Sequence, residues 1–280
     1  MRQRRVTGIE ERLAPYADLI LRGEAAGEAK EEAGADGAAG EDGAAGAAVA
    51  DGEDGAAVAA EEADGEDVAA GAAGAALSFT PRWYLRTSPR YMIPEGFKRV
   101  YAEIGCGRGL FINTLAAEDP ECLYIGVEGC KTIVIRGLQK TSAAALKNVR
   151  FIDAFINDAE AAFGEEALAG IFLNFSDPWP KERHADRRLT APAKAANYYR
   201  VLEEGGFISF KTDGESFFKY SVDTFINAGF CIAGEAGGNA TAVSGMDTAE
   251  RAAATPTEYE LKFRAMGKPI YQFTAIKQRP

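Results

Sequence analysis

The stretch VYAEIGCGRGLF, residues 100–111, decides the fold. Residues 100–104 are a short, largely apolar run that reads as a strand, and they lead directly into a turn carrying Gly105, Gly107 and Gly109. A helix is predicted from residue 110 to about 117. The three glycines lack the Cβ atoms that block close backbone approach, so a ligand can lie against the turn and the N-terminus of the following helix.

Outward from this unit, apolar runs alternate with helical stretches. Strands are predicted at 123–127, 149–152, 171–175 and 207–211, with helices at 132–142, 159–163 and 216–228 between or after them. A further helix, 194–202, is expected to end at Gly205-Gly206 as a C-cap. Residues 270–276 alternate like a late antiparallel strand. The pattern is that of a doubly wound α/β domain, in which ligands bind outside the carboxyl ends of parallel strands.

The chain carries 42 acidic and 31 basic residues in 280, a net charge of −11, which taken whole argues against a nucleic-acid partner. That average is misleading. Residues 23–76 are built from 23 Ala, 12 Gly, 15 acids, three Val and the single base Lys30, and so hold a charge of −14. The remaining 226 residues carry 30 bases and 27 acids, a net +3. The Ala/Gly/acid tract buries too little apolar surface to offset its ordering entropy and is expected to be disordered. It separates a basic N-terminal extension, 1–22, from the main domain, 77–280.

No apolar run approaches the roughly 18 residues that span a bilayer, and basic residues at the N-terminus have no apolar stretch behind them. A cytoplasmic protein with no membrane partner, a monomer or homodimer, is expected. Four cysteines without CxxC spacing and the lone His184 offer no metal cluster, so no metal is expected and the thiols should be reduced and mostly buried.

Two acids frame the glycine turn. Glu128 ends the second strand 23 residues after Gly105, where a carboxylate can accept both hydroxyls of a ribose. A dinucleotide fingerprint would need glycine at 110, which is Leu110, and Glu103 would lie poorly beside a pyrophosphate. It can instead pair with the ammonium of a methionine moiety, which favours S-adenosylmethionine over NAD. Alternatively, Glu128 is a solvated strand-end carboxylate and Glu103 a salt-bridge partner.

A second block, LNFSDPWPKERHADRR at 173–188, follows the fourth strand and places Asn174, Asp177 and Trp179 at the same crevice. Lys181, Arg183, Arg187 and Arg188 form a basic cluster suited to phosphate contacts. A third block, FKTD at 210–213, ends the fifth strand. There Asp213 either reaches a base edge or positions a basic residue, or simply caps the next helix.

EIGCGRG, NFSDPWPKERH with RRLT, FKTD and TEYE (257–260), in this order, resemble the bacterial tRNA (guanine-N7-)-methyltransferase family over residues 1–22 and about 78–277. The resemblance implies a Rossmann-like class I fold, a mostly parallel seven-stranded sheet with an antiparallel late strand. It also implies methyl transfer from S-adenosylmethionine to N7 of guanine 46 in the tRNA variable loop. By matching positions, Glu103, Gly105, Gly107, Glu128, Asn157 and Asp177 are cofactor ligands, and Asp177 is also the catalytic carboxylate. Lys181, Asp213, Thr257, Glu258, Tyr259 and Glu260 are substrate contacts.

The pattern is broken in two places. Phe155 stands where the family has an acid or Asn followed by Ala, which leaves Asn157 or Asp158 for that work near the adenine ring. The segment leading to TEYE is also atypical. The competing functions are a methyltransferase acting on another RNA or a small molecule, and a catalytically silent RNA-binding module.

Overall fold

A computed structural model describes residues 8–23, 89–233 and 246–278. The tract expected to be disordered lies outside them apart from Gly23. Among the described residues, seven strands form one sheet in the order β3-β2-β1-β4-β5-β7-β6. They are β1 (Val100–Ile104), β2 (Leu123–Val127), β3 (Val149–Ile152), β4 (Leu168–Asn174), β5 (Leu202–Thr212), β6 (Phe230–Ala233) and β7 (Tyr271–Lys277). Neighbouring strands from β3 to β5 pair parallel, and β7 runs antiparallel to both β5 and β6. The order reverses at β1 and β4, so a crevice opens at their carboxyl ends.

β2 and β4 are buried along their whole length, as expected of strands covered on both faces. The period of two decides which side chains meet. Ala102, Ile104, Ile171 and Leu173 join one apolar layer, while Tyr101, Phe172 and Phe207 join the other together with Phe111 and Tyr124. Glu103, Asn174 and Lys211 therefore emerge on the second face, at the carboxyl ends of three adjacent strands. Tyr101 stacks on Tyr124 at 5.2 Å and Phe111 meets Phe172 edge-on at 5.2 Å, forming the apolar floor beneath those three polar groups.

The helices are α1 (Ile9–Leu13), α2 (Leu110–Glu118), α3 (Lys131–Ala143), α4 (Ala159–Phe163), α5 (Pro192–Val201), α6 (Glu215–Asn227), α7 (Met246–Ala254) and α8 (Glu258–Ala265). Residues 8–23 pack on the main domain. Leu13, Leu19 and Ile20 are buried, and the Leu21 N–H donates to the Phe151 carbonyl at 2.8 Å, so this segment covers the free edge of β3.

One boundary differs from the sequence reading. Gly205-Gly206 does not cap α5; the chain is already extended at Leu202, and β5 begins there. The pairing with β4 jumps from Leu168↔Leu202 to Gly170↔Phe207, and the two glycines sit in the resulting bulge, Gly205 at φ 76°. A Cβ on Gly206 would stand 2.8 Å from the Glu203 carbonyl oxygen. Asp213 likewise does not cap α6, whose N-cap is Gly214.

Candidate active site

The glycine turn is pinned to the neighbouring strand. The N–H groups of Gly105 and Cys106 both donate to the Val127 carbonyl, at 2.8 and 2.9 Å. Gly105, Gly107 and Gly109 all have positive φ (83°, 54° and 71°), and nothing lies within 4 Å of where a Cβ on Gly107 would project. This turn faces a cavity of about 460 Å³ lined on one side by Glu103, Gly105, Cys106, Gly107 and Phe111, and on the other by Asn174, Phe175, Thr257, Glu258, Tyr259 and Lys262.

Glu103 is 2% exposed. Its Oε1 accepts from Asn174 Nδ2 at 2.9 Å, while its Oε2 is buried without a hydrogen-bond partner, as is Asn174 Oδ1. Burial pushes the Glu103 carboxyl up to about 8; the Asn174 bond and Lys211 oppose this, and the negative charges of Glu258 and Glu128 add to it. Such a group meets its missing partner from outside the chain or stays protonated. Glu128 accepts from the Gly107 N–H (3.2 Å) and from the Cys130 N–H (2.8 Å), which ties the turn to the end of β2. Burial raises its carboxyl too, against those backbone bonds.

The opposite wall is α8. Thr257 caps it, its hydroxyl accepting from the Glu260 N–H at 2.9 Å. Glu260 is fully buried: its Oε2 meets Lys211 Nζ at 3.0 Å and its Oε1 meets Arg264 Nε at 2.8 Å. Lys211 is equally enclosed and also donates to the Thr255 carbonyl at 2.7 Å. Two residues before Glu260, Glu258 pairs with Lys140 of α3. Tyr259 is half exposed and lies 5.3 Å from the Phe175 ring.

The loop after β4 holds Asp177 exposed between two non-glycine residues in the left-handed region, Phe175 at φ 50° and Trp179 at φ 41°. Asp177 and Asp213 both reach Tyr259 electrostatically and, behind burial, raise its hydroxyl. Arg187 lies 4.9 Å over the Trp179 ring, and His184 meets that ring edge-on at 5.7 Å.

A family of putative methyltransferases matches residues 98–273. A tRNA (guanine-N(7)-)-methyltransferase of Geobacillus thermodenitrificans is 35% identical over 202 residues, spanning 68% of this chain and 90% of that protein. This chain belongs to that family. A relative of the same name from Listeria monocytogenes is 40% identical over 177 residues, 63% of this chain and 79% of that one. Among solved structures, the 16S rRNA methyltransferase KamB aligns with a TM-score of 0.48 at 14% identity, over 69% of this chain and 98% of that one.

Most of the residues expected from the family pattern converge on this crevice. Glu103, Gly105, Gly107, Thr257, Glu258 and Tyr259 line the cavity itself, and Glu128 holds its glycine turn. Asp177 and Asp213 stand near Tyr259. Lys181 is exposed at the start of the short 3₁₀ helix Glu182–Arg187.

Glu260 departs from its expected role as a substrate contact, because its carboxylate is enclosed and saturated by two cations; it holds the segment on which Glu258 and Tyr259 ride. Of the two candidates after β3, Asp158 is committed to capping α4, accepting from the Ala161 N–H at 3.0 Å and from Asn197 at 2.9 Å. Phe155 is 67% exposed and covers Gly129, where a Cβ would stand 2.4 Å from its ring. The role of Lys140 was missed by sequence reasoning, since its partner lies 118 residues away. The helix α8 was missed although Thr-x-x-Glu at 257–260 is a helix-start signature.

Proposed function

We propose that this chain is an enzyme that methylates N7 of guanine 46 in the variable loop of tRNA, with S-adenosylmethionine as the methyl donor. The observation that carries the reading is Glu103, a buried carboxylate with one unmatched oxygen at the carboxyl end of the central strand, beside a glycine turn that leaves room for a ligand. A cationic ammonium satisfies it; the pyrophosphate of a dinucleotide does not. The names of the relatives support a tRNA guanine as the acceptor.

When bound, the donor supplies a methyl group activated by a sulfonium. Glu103 holds the ammonium, and the open face of Gly105 and Gly107 admits the ligand against the turn. Glu128, oriented by the Gly107 and Cys130 N–H groups, has acceptor capacity left for ribose hydroxyls. Asn157 serves the adenine side, next to Asp158, which caps α4.

Guanine N7 bears an in-plane lone pair, so the protein needs no general base and acts chiefly by alignment. Asp177 accepts hydrogen bonds from the purine edge and favours the positive charge that develops on the ring. Asp213, Glu258 and Tyr259 shape the acceptor side, Thr257 and Glu260 hold them in place, and Lys181 meets a tRNA phosphate. Residues 77–280 form the catalytic domain on this reading, with 23–76 an insertion behind the extension 1–22.

The test is transfer of a labelled methyl group to bulk tRNA lacking the modification, with the site mapped by reduction and chain cleavage. Label at the variable-loop guanine is the expected result. Label elsewhere, or only on a small molecule, overturns the assignment.

A further inference from the structure

The basic run at 181–188 reads from sequence as one solvent-facing phosphate patch, and the structure separates one member from it. Arg188 is turned back onto the loop that carries Asp177. Its Nε donates to the Pro178 carbonyl at 2.9 Å and its Nη2 to the Trp179 carbonyl at 3.0 Å, so one planar guanidinium grips two consecutive peptide units. The same guanidinium lies 4.3 Å over the ring of Tyr220 on α6, and the Arg188 N–H is itself bonded to the Ala185 carbonyl at 3.0 Å.

The loop needs such a grip. It begins at Phe175 and turns through Trp179, both with positive φ, a conformation that side chains other than glycine adopt only when their surroundings enforce it. The Phe175 end is fixed by its N–H, which donates to the Lys211 carbonyl at 2.8 Å, and by its ring against Tyr259 and Phe263. At the Trp179 end Arg188 bonds the backbone, and Asp177 sits between the two anchors. With Nε and Nη2 each held on a carbonyl and its face on Tyr220, the Arg188 guanidinium is oriented by the loop and α6.

We propose that Arg188 is a positioning residue that clamps the 175–179 loop, setting the direction in which Asp177 faces the acceptor, and that it is not one of the tRNA phosphate contacts. The proposal rests on the role given to Asp177 above. It predicts a particular split of kinetic constants. Arg188→Ala lowers kcat on the order of 10²-fold, as expected when an aligned group is misplaced by about an ångström. KM for tRNA and the salt dependence of tRNA binding stay close to wild type, and methylguanidinium added to the variant restores part of kcat.

Arg188→Lys keeps the charge and the apolar stem but lacks the two-pronged fork, so it folds as the parent does and still loses most of kcat; it decides the matter if the alanine variant is unstable. Lys181→Ala provides the contrasting arm, with KM raised and the slope of log affinity against log salt reduced by roughly one unit.

A raised KM and a similarly flattened salt slope in Arg188→Ala, with kcat retained, would make Arg188 a phosphate contact and overturn the proposal. So would wild-type kcat in Arg188→Lys. Failure of the underlying reading looks different: the wild-type protein then transfers no methyl group to tRNA guanine, whatever stands at 188.

Discussion

Two buried carboxylates stand on elements that face each other across one cavity, and they have opposite fates. Glu260, fully enclosed on α8, has a cation on each oxygen, Lys211 and Arg264, and its own N–H is taken by Thr257. Glu103, 2% exposed on β1, has one neutral amide on one oxygen and nothing on the other. The first arrangement is closed: every strong acceptor is matched within the chain. The second is open: one of its oxygens is buried with no hydrogen-bond partner among the described residues. The contrast separates a buried carboxylate that maintains the fold from one that, on the function proposed above, receives a ligand.

Removing the closed one gives the largest expected effect. Glu260→Ala leaves Lys211 buried without a counter-charge and frees the anchor of α8, a loss of about 3–5 kcal/mol in global stability, the range for breaking a buried pair. Denaturant unfolding followed by circular dichroism measures it. The double change Lys211→Met with Glu260→Leu recovers most of that loss, since it removes both charges together. A single variant as stable as wild type would break the comparison at once.

Altering the open carboxylate moves binding instead. Glu103→Gln keeps the shape and the Asn174 contact while deleting the charge, so calorimetry should show donor affinity lowered on the order of 10²-fold, the scale of one charge-assisted interaction. Stability should stay level or rise. An equal loss of stability in both variants would mean that Glu103 is another structural carboxylate.

The pH dependence follows from the same group. Its ordinary value is 4.5 and burial lifts it to about 8 in the folded chain, so between those values the native state holds a proton that the unfolded state has lost. Its contribution to stability is complete at low pH and declines as pH rises towards about 8. Binding of a cation runs the other way, because the carboxyl must first ionise. Donor affinity should rise about tenfold per unit of pH below that value, with release of a proton whose heat varies with the buffer. In Glu103→Gln both dependences vanish. A flat affinity profile in the wild-type protein would show that the unmatched oxygen does not receive the ammonium.

The open carboxylate was legible in the sequence and the closed one was not, for a physical reason. Glu103 lies within one local unit, strand, glycine turn and helix, whose boundaries follow from apolar runs and turn residues; β1, β2, β3 and α4 fall where those signals place them. Glu260 takes its meaning from Lys211, 49 residues away, and no local pattern brings the two together. A charge run hides orientation in the same way: Arg187 and Arg188 are adjacent, yet one stacks on Trp179 and the other grips its carbonyl. Paired glycines marked an interruption at 205–206 without revealing whether it was a helix end or a bulge, because both need the same backbone freedom.

The smallest effect sharpens the comparison most finely, since it concerns Glu258, two residues from Glu260 on the same helix. Its partner Lys140 leaves the pair half exposed, with side-chain accessibilities of 40% and 38%. Solvent screening limits such a pair to about 1 kcal/mol or less. Lys140→Met should therefore barely lower the unfolding midpoint, and even that deficit should fade in molar salt, whereas the Glu260→Ala deficit persists there because no ions reach it. Glu258 also lines the cavity and is among the charges that raise Glu103. Without Lys140 its negative charge is no longer paired and acts more strongly on Glu103, and the pH at which donor affinity levels off moves upward. A midpoint shift as large as that of Glu260→Ala would place this pair among the buried ones and erase the distinction between a latch on the surface and an anchor in the core.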